Sequence, residues 1–296
     1  MIKRNFIRTL AVALALGMLA AGARGADLKD AKQIIKKSEA YALSIDSYSY
    51  LVKGEGWDLN AAETAKRTSV VAGEASQKFG AVKDLAGDIK KDADNDKGKS
   101  EPVFKRYKVL YKFKKPYLLQ MNVIMSEYVP KIIYGSLMTY RPDNDPEVFW
   151  FKPKISPMAI KRPINSESGD MLYAVMSLNY AMIEAMSKDA KPVFKGIAKV
   201  NDRDAYKVEF VFDMEKKKHK PYAVNFKKFG IPKEAQKKYE DEVNGYENDP
   251  TKSVMFYFDK ETLLITQRET FDEEGKLLGR KIWSDIKVNE LTEKDF

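Results

Sequence analysis

A single histidine and no cysteine leave this chain without the parts of a Ser-His or Cys-His nucleophile–base pair. That histidine, His219, stands in the basic segment MEKKKHKPY ahead of Pro221, where the sequence predicts an exposed loop. Zinc sites built on His and Cys lack ligands for the same reason. Asp92, Asp94 and Asp96 have the alternate spacing that opens a calcium loop, but the rest of that pattern fails. Lys97 stands where the sharp turn requires glycine, Gly98 comes one residue late, and Val103 takes the place of the bidentate glutamate. The three aspartates read as a solvated acidic turn. Asp272, Glu273 and Glu274 also sit on a turn, where water keeps carboxylates ordinary. Nucleophile-elbow, Walker and dinucleotide-binding glycine patterns are missing. The expectation is a protein with no catalytic residues, no cofactor and no metal.

What remains is apolar patterning, and it has to be placed on elements. Lys3, Arg4 and Arg8 precede the apolar run 10–20, and Ala23-Arg24-Gly25 puts small residues at the two positions a signal peptidase reads. Residues 1–25 are therefore expected to be a cleaved signal peptide, with an apolar core short of the ~20 residues that span a bilayer. Removing Lys3, Arg4, Arg8 and Arg24 lowers the formal charge from +9 to +5. Spread among many carboxylates, that excess predicts a soluble surface with some attraction for anionic partners, a membrane face included. It is not a nucleic-acid footprint: the basic and aromatic residues of KPVFKGIAKVNDRDAYKVEF interleave as any half-buried strand would require. The lack of cysteine means no disulfide despite export, and no thiol to take a lipid after cleavage.

Residues 26–296 are long enough to bury one full core and are read as a single domain. Residues 28–43 show a helical stripe of Leu28, Ala31, Ile34, Ile35 and Leu43 against four lysines, and a strand follows at 48–54. Between 60 and 100 the composition shifts to Ala, Gly, Lys and Asp; this reads as an insertion, partly helical and partly loop. Then come alternating strands. Tyr107, Val109, Tyr111 and Phe113, then Leu119, Met121, Val123 and Met125, are expected on one face, with Arg106, Lys108, Lys112, Gln120 and Asn122 on the other. Runs at 132–140, 148–151, 193–200 and 206–212 continue the scheme. The last forty residues predict an antiparallel meander of 254–258, 263–270 and 276–288, joined by Asp- and Gly-bearing turns. In its third strand, Ile282, Ser284, Ile286 and Val288 are expected to face opposite to Lys281, Trp283, Asp285 and Lys287. About nine strands with no crossover helices predict a strongly curved sheet or barrel.

Between two strand groups lies SESGDMLYAVMSLNYAMIEAMSKD, predicted to be a helix starting near Ser168, Gly169 or Asp170 and ending before Pro192. Met171, Met176, Met182 and Met186 lie in a stripe so wide that little of the helix can face water. Such a helix is either ordinary core or, because methionine repacks readily, a lid over a variable ligand.

The C-terminal FYFDKETLLITQRETFDEEGKLLGRKIWSDIKVNELTEKDF, with VLYKFKKPYLLQMNV at 109–123, VFWFKPK at 148–154 and DRDAYKVEFVF at 202–212, resembles the LolA-like superfamily of periplasmic lipoprotein carriers. The resemblance covers most of residues 26–296 and lies in pattern, not in an invariant motif. It implies an α+β fold: a half-open β-barrel of about nine to eleven antiparallel strands, covered by helices that include the Met-rich lid or plug. It implies a non-enzymatic, soluble periplasmic protein binding the acyl chains of a lipid or lipoprotein, served by a membrane-associated donor or acceptor protein. Face alternation then offers a cavity lining of Tyr111, Phe113, Leu119, Met121, Val123, Phe149, Phe151, Met171, Met176, Met182, Phe210 and Phe212. A regulator binding a protein partner through residues 60–100 is the other reading of the same scaffold; a hydrolase would need carboxylates that converge only in the fold.

Overall fold

The computed structural model describes residues 28–58, 103–116, 118–128, 134–141, 144–145, 147–154, 158–163, 179–214 and 250–296. The first helix, α1, is Ala31–Ser44; Asp30 caps it by accepting from the Lys32 N–H at 3.0 Å, and it buries Ala31, Ile34, Ser38 and Ala42 at helical spacing. Strands β1 (Ser47–Asp58), β2 (Val103–Lys114), β3 (Leu118–Ser126), β4 (Leu137–Tyr140), β5 (Val148–Lys152) and β6 (Ile160–Pro163) come next. Helix α2 (Tyr180–Asp189) precedes β7 (Pro192–Val200), β8 (Arg203–Val211), β9 (Ser253–Asp259), β10 (Ile265–Phe271) and β11 (Leu277–Val288), and a 3-10 turn at Glu293–Asp295 comes last.

All eleven strands form one antiparallel sheet in the order β6-β5-β4-β3-β2-β1-β11-β10-β9-β8-β7. Six strands run outward from β1 as one meander and five run outward from β11 as another; the pairing of β1 with β11 joins them. The sheet is curved and open, with β6 and β7 as its edges, so the half-open form is realised and a closed barrel is not. Residues 164–191 must carry the chain from one edge to the other, and α2 lies on that path.

Both described helices pack on the same face, the inner one. Ile34 and Ile45 from the α1 region, with Tyr180, Ile183 and Met186 of α2, share a buried cluster with Tyr48, Phe113, Phe149, Phe210, Phe256 and Trp283 of the sheet. A buried hydrogen-bonded group ties the helices together: Ser38 Oγ contacts both the Tyr180 hydroxyl and the Leu263 carbonyl oxygen.

Several expectations need correcting. Strand β1 runs on to Asp58, through two glycines that read as a strand end, and β6 was not expected at all. An extra residue near Ile124 shifts the β2–β3 register, so Val123 opposes Val109 but Ser126, not Met125, opposes Tyr107. Met125 therefore pairs with the outward Lys108. In β11 the extra residue is Asp285, at φ 54, which flips the face midway. Trp283 and Lys281 turn inward while Ile282 pairs with Lys53 on the outer face. Leu263, at φ 59, belongs to the turn and not to the strand after it. Asn179 has φ 68, which bars a continuous right-handed helix through it; α2 starts at Tyr180. The predicted helix start, the signal peptide, the 60–100 insertion and His219 lie outside the described residues.

The β1–β11 seam is held by Asn289, itself in a left-handed conformation at φ 58. Its Oδ1 accepts from the Asp46 N–H at 2.7 Å and the Ser47 N–H at 3.2 Å, and its own N–H donates to the Ser47 carbonyl at 2.6 Å. Asn289→Ala is expected to lower stability by about 1–3 kcal/mol in urea unfolding, through lost hydrogen bonds and a strained backbone. Asn289→Gly, which keeps the backbone unstrained, should cost less.

Candidate functional site

The inner face is ordered in rows that cross the strands, because directly paired residues of antiparallel strands share a face. The first row is Tyr48, Phe113, Leu119, Tyr140 and Phe149; ring centroids lie 5.0 Å apart for Tyr48–Phe113 and 5.4 Å for Tyr140–Phe149. The second is Tyr50, Tyr111, Met121, Met138 and Phe151. The third is Val52, Val109 and Val123, with Trp283 across the seam. Two further residues along the strands the character changes: Gly54 is flanked by Tyr107 on one side and by Lys281, then Arg268, on the other. Beyond them Gly56 is flanked by Lys105 and by Gly279, then Thr270.

All ten described candidates from the sequence occupy this side of the sheet. Tyr111, Phe113, Leu119, Met121, Val123, Phe149, Phe151 and Phe210 are inner-face strand residues, Phe212 follows β8 into the same core, and Met182 reaches it from α2. Met171 and Met176 lie outside the described residues. The ten are not equivalent. Phe113, Leu119, Phe149, Phe210 and Phe212 belong to the cluster that wedges the helices onto the sheet. Val109, Met121 and Val123 form a separate apolar group, bordered by Tyr107, Tyr111 and Met138, in which no described helix residue takes part.

Three buried tyrosines, Tyr50, Tyr107 and Tyr111, lie on this face, Tyr107 in the row of Lys281 and Arg268. Burial pushes the hydroxyls of Tyr50 and Tyr111 far above their usual value of 10.0. Burial and then neighbouring Tyr111 do the same to Tyr107, against the opposing pull of Arg268. Tyr107 lies over Gly54, where a Cβ would collide with its ring. The Tyr128 ring meets Tyr107 edge-on at 6.1 Å, with the Lys105 ammonium 5.5 Å from the Tyr128 centroid. Lys281 Nζ is 5.9 Å from the Tyr107 centroid, and Arg268 Nη1 donates to Met182 Sδ at 2.9 Å. Lys105, Arg268 and Lys281 were not candidates from sequence. Parity along Phe113, Tyr111, Val109 and Tyr107 already carries Lys105 inward; the bulge at Asp285 hid Lys281.

The opposite face carries a buried carboxylate held by three donors. Glu269 accepts from the Tyr257 hydroxyl at 2.6 Å, Arg280 Nε at 2.8 Å and Gln267 Nε2 at 3.0 Å. Arg280 also donates to Glu55 at 3.3 Å. With its acceptor sites filled by a cation and neutral donors, Glu269 is built as a structural tie across β9–β11 and β1. Among the described residues no group of three or more His, Cys, Asp or Glu is placed to hold a metal, and no helix is long and apolar enough to cross a membrane.

No protein-family model and no curated relative matches the sequence. Among solved structures the chain is similar to LprF from Mycobacterium bovis, at 7% identity and TM-score 0.43, covering 90% of this chain and 97% of that one. It is similar to a LolA superfamily protein from Nitrosomonas europaea at 11% identity and TM-score 0.29, over 90% and 96%. It is also similar to a chain of the Pseudomonas aeruginosa MucA/MucB complex, at 8% identity and TM-score 0.35, over 90% of this chain and 59% of that one.

A titration checks the burial of these tyrosines. Folded-state values raised above 10.0 mean that the unfolded chain loses these protons first, so stability is intact below about pH 10 and falls as the pH rises further. Tyrosinate absorbance from Tyr50, Tyr107 and Tyr111 should therefore appear only together with the loss of near-ultraviolet circular dichroism, after exposed tyrosines have titrated.

Proposed function

We propose that this chain is an exported, non-enzymatic carrier that shields acyl chains of a lipid or lipoprotein against the inner face of its sheet. One observation carries the reading: the apolar group of Val109, Met121 and Val123 on β2 and β3, bordered by Tyr111 and Met138, beside the helix-packed core. A face like this does nothing for water-soluble substrates. For a hydrocarbon chain it removes ~0.8 kcal/mol of cost per methylene taken out of water. Tyr111, Met121, Val123, Phe151 and Met182 form the contact surface, and the buried phenylalanines of the adjoining cluster form the wall. Met121, Met138 and Met182 are unbranched and repack around chains of differing length, which suits a cargo that has to leave again.

In this reading residues 1–25 direct export, residues 26–296 are one lipid-binding domain, and the segment 60–100 is an insertion in it. The protein works in the periplasm, taking cargo from a membrane-associated donor and yielding it to an acceptor.

The test is uptake of a fluorescent fatty acid by the purified protein. Met121→Lys sets a charge against the apolar group and should lower uptake on the order of tenfold or more. Lys108→Glu, on the outer face opposite Met125, should leave it unchanged. Equal loss in both variants, each checked for folding by circular dichroism, ends the assignment of the inner face.

A further inference from the structure

The outer face of the sheet differs between its two sides. Toward β10 and β7 its cations are matched: Arg280 meets Glu269 at 2.8 Å, Lys195 meets Glu209 at 3.2 Å, and the Lys207 ammonium lies 5.9 Å from the Tyr257 centroid. Across β1 to β5 the pattern is different. One outward row sets Leu51, Leu110, Asn122 and Leu137 side by side and ends on Lys152. On one flank of that row Lys53 is the direct partner of Lys108; on the other, Ser49 stands between Lys287 and Lys112. Among the described residues Lys53, Lys108, Lys152 and Lys287 make no ion pair, and Lys53, Lys152 and Lys287 are exposed. Carboxylates nearby are already engaged, Glu55 by Arg280 at 3.3 Å and Asp46 by Lys114 at 2.8 Å. The 3-10 turn reaches Lys112, whose Nζ donates to the Asp295 carbonyl oxygen at 2.9 Å, and leaves the three exposed lysines open to solvent. Like charges on directly paired positions repel, so sheet stability does not account for the choice of Lys53 and Lys108.

We propose that this half of the outer face, with Lys53, Lys152 and Lys287 as its contacts, docks the protein on the surface of an anionic lipid bilayer. Lys287 on β11 and Lys152 on β5 stand five strand spacings apart, about 24 Å along the sheet. Charges so dispersed share no centre at which one small anion could touch them all. A leaflet of anionic headgroups presents charge over the whole width, and it asks no fixed geometry of lysines, which are point charges on flexible stems. Between the lysines, the row of half-buried leucines brings no carboxylate to repel the leaflet. The inference is separate from the carrier reading: it concerns the other face, and a protein that took up no acyl chain would dock in the same way.

The experiment is co-sedimentation of the whole secreted chain with two kinds of vesicle, dioleoyl phosphatidylcholine alone and an equal mixture of it with dioleoyl phosphatidylglycerol. The wild type should bind the mixed vesicles on the order of tenfold more tightly or better, and raised salt should weaken that binding. The Lys53→Glu, Lys287→Glu double variant should lose the preference. Lys36→Glu with Lys37→Glu changes the net charge by the same amount on exposed positions of α1, on the other side of the sheet, and should keep it. Met121→Lys, which acts on the inner face, should sediment as the wild type does. Circular dichroism checks each fold, and a Lys53→Gln, Lys152→Gln pair, which removes charge without reversing it, repeats the comparison. Equal binding of the wild type to both vesicles, or a loss in the α1 variant as large as in the outer-face variants, overturns the docking face and leaves the carrier reading untouched. Poly-glutamate that binds the wild type while the mixed vesicles do not also overturns it, in favour of an acidic polypeptide partner.

Discussion

The register between β1 and β11 is the constraint on which the rest of the molecule depends. It is the one pairing in the sheet between strands that are not consecutive in the chain. Without it there are two separate meanders, each with one apolar face and nowhere to bury it. With it, the first and third inner rows continue across the seam through Val288 and Trp283, and both described helices find a single surface. The closure is also where glycine is used. A side chain at Gly56 would press on the backbone of Leu278 and Gly279, with the nearest atom at 3.0 Å, so the close approach of the two central strands favours glycine there. Loop-closure entropy makes such a long-range pairing late and slow to form, and the hydrogen bonds of Asn289 at its end act as the clasp.

Alternation on the inner face was legible because strands impose it mechanically. Tyr107, Val109, Tyr111 and Phe113, and Leu119, Met121 and Val123, fall where their parity puts them, and so do the phenylalanines of β5 and β8. The meander of β9 to β11 was legible for the same reason, helped by Asp and Gly at its turns. The places where parity breaks could not be read. A bulge adds one residue and leaves little mark on composition: Ile124 and Asp285 look like ordinary strand residues, yet at each of them the inward and outward positions of the strand change places. Trp283 and Lys281 were assigned to the polar side on that account. Strand β6, Ile160-Lys161-Arg162-Pro163, has too few apolar residues to announce itself, as an edge strand paired on one side allows. Asn179 did offer a sign, since asparagine is among the few residues that take the left-handed conformation readily.

The candidate site shows the same division. Its hydrocarbon half consists of residues whose type and position agree, so sequence periodicity finds it. The cations beside it are residues whose type argues for the surface and whose position argues for the interior. Lys105 is the clearest case, buried although lysine seldom is. Conflicts of that kind are invisible to patterning, which resolves each lysine toward solvent.

Strands β6 and β7 are neighbours in sequence but stand at opposite edges, with α2 on the path between them. Taken as a ring, the order of strands in the sheet is the order of strands in the chain, with no exceptions. The molecule is thus topologically an up-and-down cylinder slit lengthwise at one connection, where a helix has replaced a hairpin. Joining the C-terminal end of β11 to the start of α1, and cutting instead between β6 and α2, would give a circular permutant whose strands pair only with their sequence neighbours. The long-range step in forming the sheet is therefore a property of where the ends of the chain are placed, and not of the architecture itself.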